Sequence, residues 1–477
     1  MPPTRSLPGI RPRWWTSPRL LAVLFVLSLP AVTPRIYASD EVQYFAYLRS
    51  LWFDHDVSFE NEYQHFYDAG IAASPGFHET FLERTTETGR RINFGTIGCA
   101  LLWGPFCAIG DVVAQALHAA GRPIAADGYS APYVMAVAYA SAFYGWLALL
   151  LSARIVDRLS RTWSALEGRG VPAAIVVWLG TPLAFYMYVA PPMSHAASAF
   201  AVAAFVLIWI TVRDTWHPRG VACLGAAAAL MAMVREQDAF FVAGPLIDFA
   251  WTLASRPRRL APLLVAAAAG AAAGAIAFLP QALAYLALNG HVGPSRLVAR
   301  KMTWSAPHAL EVLASPAHGL FVWTPLALIA LVGLVALAVR LSGTTGALGA
   351  GLVVAAACQV YVAGSVESWT VAGAFGQRRF VSLTALLVIG VAAVLAAVRG
   401  QRWRAAAASL VFGATIWWNV ALIVQFGAGL MDRQRLQPAR IAYNTFVVVP
   451  RALPGLAWRY LFDRASFYEA ARHLRGR

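Results

Sequence analysis

The stretch Ile92–His118, INFGTIGCALLWGPFCAIGDVVAQALH, decides the topology of the chain. It is long enough to cross a bilayer, which takes about 20 apolar residues. Yet Gly95, Gly98, Gly104, Pro105 and Gly110 interrupt it, and Asp111 sits inside it. We read it as re-entrant or interfacial. If it crossed, every later loop would change side.

The rest of the chain is uniformly greasy. Of its 477 residues 59% are hydrophobic and only 13% charged, with a mean hydropathy of +0.58. A soluble domain carries about 25% charge. Apolar runs recur at 19–38, 131–152, 172–190, 196–212, 220–234, 239–254, 260–288, 319–340, 345–363, 379–399 and 405–424. They predict an all-α, polytopic helical membrane protein with about 11 transmembrane helices. The net charge of +15 would suggest nucleic acid for a soluble protein. Here it reflects Arg on loops and near headgroups, so membrane lipid is expected as a partner and nucleic acid is not. Lys301 is the only lysine.

Residues 19–38 follow Arg5, Arg11, Arg13 and Arg19, as in a signal peptide that ends at Ala38. Ile36 is not the small residue that cleavage needs, and many spans follow. A retained first helix or signal anchor is expected.

Arg counting sets the sides. Take the N-terminus as inside and 92–118 as not crossing. Thirteen Arg then fall on inside loops: Arg154, Arg158, Arg161, Arg169, Arg213, Arg219, Arg256, Arg258, Arg259, Arg340, Arg399, Arg402 and Arg404. Beyond residue 130 the outside loops hold six bases: Arg235, Arg296, Arg300, Lys301, Arg378 and Arg379. This is the direction of the positive-inside rule. The division that follows is a cytoplasmic N-terminus at 1–18, a transmembrane domain at 19–424 and an interfacial tail at 425–477. The tail's apolar part, 442–462, is broken by Pro450, Arg451, Pro454 and Gly455.

The first outside loop, about 39–130, carries amphipathic helices. Its first part, residues 40–87, holds 10 of the 23 acids: Asp40, Glu41, Asp54, Asp56, Glu60, Glu62, Asp68, Glu79, Glu83 and Glu87. Acids on one outside loop and bases on the others are able to build one polar site. Its opening, Ser39–Tyr44 (SDEVQY), has two readings. Ser39 or Asp40 caps a helix whose first turn welcomes acids. Val42, Phe45, Ala46, Arg49, Trp52 and Phe53 then share a face. Alternatively, a carboxylate at headgroup depth acts as general base on a lipid-linked substrate.

SDEVQYFAYLRSLWFDHDVSFENEY (39–63) resembles the first outside loop of the GT-C superfamily of integral-membrane glycosyltransferases. It is most similar to the protein O-mannosyltransferase and lipid A aminoarabinose transferase branch, where an Asp-Glu pair follows the first transmembrane helix. TPLAFYMYVAPPMSHAASAF (181–200) looks like the second outside loop, with Ser194-His195 where the family often has another acid. REQD (235–238), SPAHGLFVWTP (315–325) and ESWTVAGAFGQRRF (367–380) resemble later motifs, so the likeness covers most of 20–400. It implies a GT-C-like catalytic domain in a plasma membrane, with its site facing the periplasm or exterior. It also implies inverting transfer of a sugar from a polyprenyl-phosphate donor to a glycan, lipid or protein acceptor. Asp40 would match the catalytic acid, with Glu41 its neighbour.

The other candidates each have two readings. Arg378 and Arg379 are snorkelling anchors or a fork on the donor phosphate. Arg235, with Glu236 and Asp238, is a phosphate contact or part of a self-neutralising cluster. Lys301 is a phosphate contact or a solvated loop residue. His195 is structural, or it orients the sugar. Glu62, Glu236 and Glu367 are candidate sugar contacts. With His55 and His65 near acids a divalent metal is conceivable, but no motif supports one, and no cofactor is assigned. Cys99, Cys107, Cys223 and Cys358 lie in apolar runs and read as buried hydrophobes. The competing functional class is a secondary transporter or lipid flippase, which also uses intramembrane charge and broken helices. Against it, no inverted halves are visible and the charge gathers on one face.

Overall fold

The computed structural model describes residues 16–71, 74–255 and 260–467. Arg5, Arg11, Arg13, Arg256, Arg258 and Arg259 lie outside the described residues, as does the end of the tail. Among the described residues there is no strand, only the isolated bridges Thr85–Arg91 and Met302–Val366. Seven helices among the described residues are long and apolar enough to cross a membrane. The architecture is that of a polytopic helical membrane protein.

Helix α1 (Pro18–Ser28) is capped by the Ser17 side chain and extended by a turn through Leu29–Ala31. The expected helix over 19–38 stops there. Pro30 and Pro34 cannot donate backbone hydrogen bonds, and the chain runs on without helix to Ala38. Next come α2 (Ser39–Arg49), α3 (Glu60–Asp68) and α4 (Gly98–Ala119). The helices α5 (Ala131–Leu159), α6 (Gly170–Gly180), α7 (Leu183–Tyr188), α8 (His195–Val212), α9 (Pro218–Val234), α10 (Ala243–Ser255) and α11 (Leu260–Asn289) follow. The bundle is completed by α12 (Pro325–Ala338), α13 (Gly343–Ser365), α14 (Thr384–Ala397) and α15 (Arg402–Ala428), and the chain continues into α16 (Val449–Phe462).

The longer helices are gathered between two ends of one bundle. One end gathers Asp40, the start of α8 and the loop before α14. The other gathers Leu159, Ile210, Arg213, Leu341 and Thr345. There Arg213 bonds both Asp248 oxygens, at 2.7 and 2.9 Å, and Arg158 reaches Asp214 at 3.4 Å. The segment Arg378–Ala397 is the most enclosed. In contrast, α11 turns Leu264, Val265, Ile276, Leu279 and Leu283 outward, as a lipid-facing helix does. Small residues set the seams. A Cβ on Gly225 would lie 2.0 Å from the Gly270 carbonyl oxygen, so α9 and α11 meet backbone to backbone.

The helix α4 is a continuous 22-residue element despite its glycines and Pro105. Its start abuts the end of α9, where a Cβ on Gly98 would meet the Met233 backbone at 2.4 Å. It then runs antiparallel to the first half of α5. Tyr144 donates to the Leu102 carbonyl at 2.8 Å, and Tyr133 to Asp111 at 2.6 Å. The start of α4 thus lies beside the end of α9, and Leu102 to Asp111 lie along the first half of α5.

The helix α2 departs from the amphipathic expectation. Val42, Phe45, Ala46, Tyr47 and Leu48 are all buried, so protein covers both faces. Phe59 packs on Tyr47 at 4.8 Å and Phe66 on Phe45 at 5.8 Å.

Candidate active site

The N-cap of α2 is Ala38 rather than Ser39 or Asp40. No side-chain cap is needed, because Glu41 reaches back to the free amides. Its carboxylate accepts from the Tyr37 and Ala38 N–H groups at 2.7 and 3.1 Å. Glu41 is fully buried, and burial pushes its pKa up to about 8 against those two hydrogen bonds. Its work is to fix the start of the helix. That leaves Asp40, one residue earlier, turned the other way.

Asp40 meets Arg378 at 2.6 Å. The loop before Arg378 is built to hold that guanidinium. Phe375 stacks on Phe185 at 4.5 Å, and its carbonyl accepts from Tyr186 at 2.9 Å. His318 Nε2 lies 3.0 Å from the Ala374 carbonyl. Gly376 then takes a positive φ of 61°, which glycine adopts without strain, and turns the chain into Arg378.

Asp40 and Arg378 form one wall of a cleft of about 190 Å³ that also holds Gln43, Tyr44, Phe94, Gly95, Met193, Ser194, His195, Arg235 and Arg379. Arg235 donates to Gln237 Oε1 at 3.1 Å. The same Gln237 donates to the Arg379 carbonyl at 2.8 Å, so one amide ties two cations together. The charge is unbalanced: three guanidiniums face one carboxylate. Among the described residues Arg235 Nη1, Arg379 Nε and His195 Nδ1 are buried with no hydrogen-bond partner. Buried donors are normally paired. The N-terminus of α8, the positive end of an 18-residue helix, opens into the same cleft. A multi-oxygen anion fits this set of donors. Tyr44 stays a neutral phenol, its pKa pushed up to about 12 by burial.

Of the residues the sequence singled out, the cleft unites Asp40, His195, Arg235, Arg378 and Arg379. The others lie elsewhere. Lys301 sits behind Phe94, its ammonium 5.4 Å from the ring. Glu367 is exposed and joins its backbone N–H to the Lys301 carbonyl at 2.8 Å. Glu236 accepts from the Tyr285 hydroxyl. Glu62 is taken by Arg49 at 2.9 Å, and Arg49 also binds Asp54. Asp56 accepts from Ser50 at 2.7 Å. These acids knit the first loop together. Among the described residues no group of three His, Cys, Asp or Glu is placed to hold a metal.

Sequence reading missed Gln43, Tyr44, Phe94 and Gln237. The first two carried a signal: they follow Asp40 by three and four residues, hence share its helix face. Phe94 arrives through a distant pairing, with its N–H on Gln43 Oε1 at 2.8 Å. No family model matches the chain, and no curated protein matches it.

Proposed function

We propose that the chain is a GT-C-like membrane glycosyltransferase with eleven crossings. It takes a sugar from a polyprenyl-phosphate donor by an inverting mechanism, on the non-cytoplasmic face. One observation carries this reading: a single carboxylate, Asp40, stands beside a set of unpartnered cationic donors in a cleft at one end of the bundle. The helices α6 and α7 count as one broken crossing, and α4 stays on the outside half.

The donor phosphate lies among Arg235, Arg379 and the start of α8. Arg378 is shared between that phosphate and Asp40. The acceptor oxygen attacks the anomeric carbon opposite the phosphate, and the bond from that carbon to the phosphate oxygen breaks. Asp40 takes the acceptor's proton. The guanidiniums hold the departing polyprenyl phosphate, a role that Arg fills because it keeps its charge. A transporter would place its charge near the midplane, whereas this cleft lies at one end.

Undecaprenyl phosphate tests the phosphate site. By native mass spectrometry, wild type and Asp40→Asn retain the lipid, while the Arg235→Ala/Arg379→Ala double variant loses it. Equal retention by all three would overturn the assignment.

A further inference from the structure

The first helix ends in a run of carbonyls without helical partners, and the distant C-terminal tail supplies their donors. Tyr460 donates to the Ala31 carbonyl at 2.9 Å and lies 2.7 Å from the Thr33 hydroxyl. Arg464 donates to the carbonyls of Pro30 and Val32. It also bonds the Tyr460 carbonyl at 2.7 Å and stacks 4.8 Å from the Tyr460 ring. The segment they grip is anchored from the bundle side too, where the Thr33 N–H meets the Tyr188 carbonyl at 2.8 Å. Seven residues later the chain reaches Asp40; between them Ile36 is buried, and Tyr37 and Ala38 donate to Glu41.

The helix α16, which carries Tyr460 and ends two residues before Arg464, has a second face. Trp458 and Phe462 pack with their rings tilted and centroids 4.5 Å apart, and both are about two-thirds exposed, at 64% and 69%. Tyr443 and Phe446, just before the helix, are exposed as well. Arg451 and Arg459 sit on the helix among these apolar residues. Aromatic residues on one side with Arg nearby suit the headgroup layer of an anionic bilayer.

We propose that α16 is a membrane-bound staple. Its aromatic face rests in an anionic lipid surface, while Tyr460 and Arg464 act as positioning residues that hold residues 30–33 and so set the place of Asp40. The second half of this inference rests on the transferase reading, and the first does not.

The test is hydrogen–deuterium exchange on the full chain in nanodiscs containing phosphatidylglycerol. Loss of two or more hydrogen bonds in Tyr460→Phe/Arg464→Ala raises exchange at Thr33, Tyr37 and Ala38 on the order of 10-fold. Exchange in α14 and the melting temperature stay as in wild type, and Arg464→Lys recovers part of the protection. Trp458→Ser/Phe462→Ser loosens 449–462 and 30–38 together. Unchanged protection of 30–38 in the first variant overturns the staple. An unchanged α16 in the second overturns the lipid contact. Envelope-glycan profiles of cells carrying the same variants read the catalytic half, with Asp40→Asn beside them. If Asp40→Asn abolishes transfer and the staple variant does not, positioning is refuted. If Asp40→Asn is silent, the transferase reading fails and the exchange result stands alone.

Discussion

At the scale of single residues, neighbouring acids are given opposite tasks. Asp40 faces the cleft and Glu41 faces the helix cap. On the proposed reading Asp40 is the base, so Asp40→Asn, which keeps the shape, is expected to lower transfer roughly a hundred- to ten-thousand-fold. Arg378→Lys keeps a charge but loses the planar fork, and falls between wild type and Arg378→Ala in the same assay. Glu41 makes a prediction about pH. Burial holds its native pKa near 8, above the ordinary 4.5, and that of Glu62 near 7 despite Arg49. The folded state therefore binds more protons than the unfolded state between these values. The stability this confers is present in full below the ordinary carboxylate pKa and is lost as pH rises through about 7 to 8. Melting temperature of the purified protein falls over that range, and Glu41→Gln flattens the fall. A rise with pH would contradict the burial argument.

At the scale of elements, close approach decides stability. Gly225→Val forces α9 from α11, because its Cβ would fall 2.0 Å from a carbonyl. The expected loss is about 1–3 kcal/mol, read as a lower melting temperature. Apolar runs made most of the helices legible, since length and hydropathy alone specify a crossing. The exceptions have physical causes. The run over 19–38 looked continuous to hydropathy, but Pro30 and Pro34 end its helix at Ala31. The helix α4 keeps its form through Gly98, Gly104, Pro105 and Gly110 because α2, α5 and α9 pack against it. In the cleft, Asp40 and the Arg pair were legible as rare charges among apolar residues. Gln237 and Phe94 were not, because their roles depend on partners more than 50 residues away. Glu62, Glu236, Glu367 and Lys301 drew attention for the same rarity. They turn out to be paired with Arg49, Tyr285, each other's loops and Phe94.

At the scale of the whole molecule, the account requires one polar face and one basic face. Single cysteines introduced at residues 122 and 56 should both react with a membrane-impermeant maleimide from outside intact cells, because on the proposed topology α4 does not cross. Cysteines at 161 and 217 should react only after lysis. Labelling at 122 only after lysis would mean that α4 crosses, and would move the Arg-rich loops outward. The central claim is that Asp40 is the base of a sugar transfer from a polyprenyl phosphate. Its most direct test is mass spectrometry of carrier-linked sugars and envelope glycans in cells lacking the native gene, carrying wild type or Asp40→Asn at matched membrane levels. The account predicts that Asp40→Asn matches the empty strain, with one carrier-linked sugar accumulating and one glycan short of a residue. A wild-type profile from Asp40→Asn would contradict it.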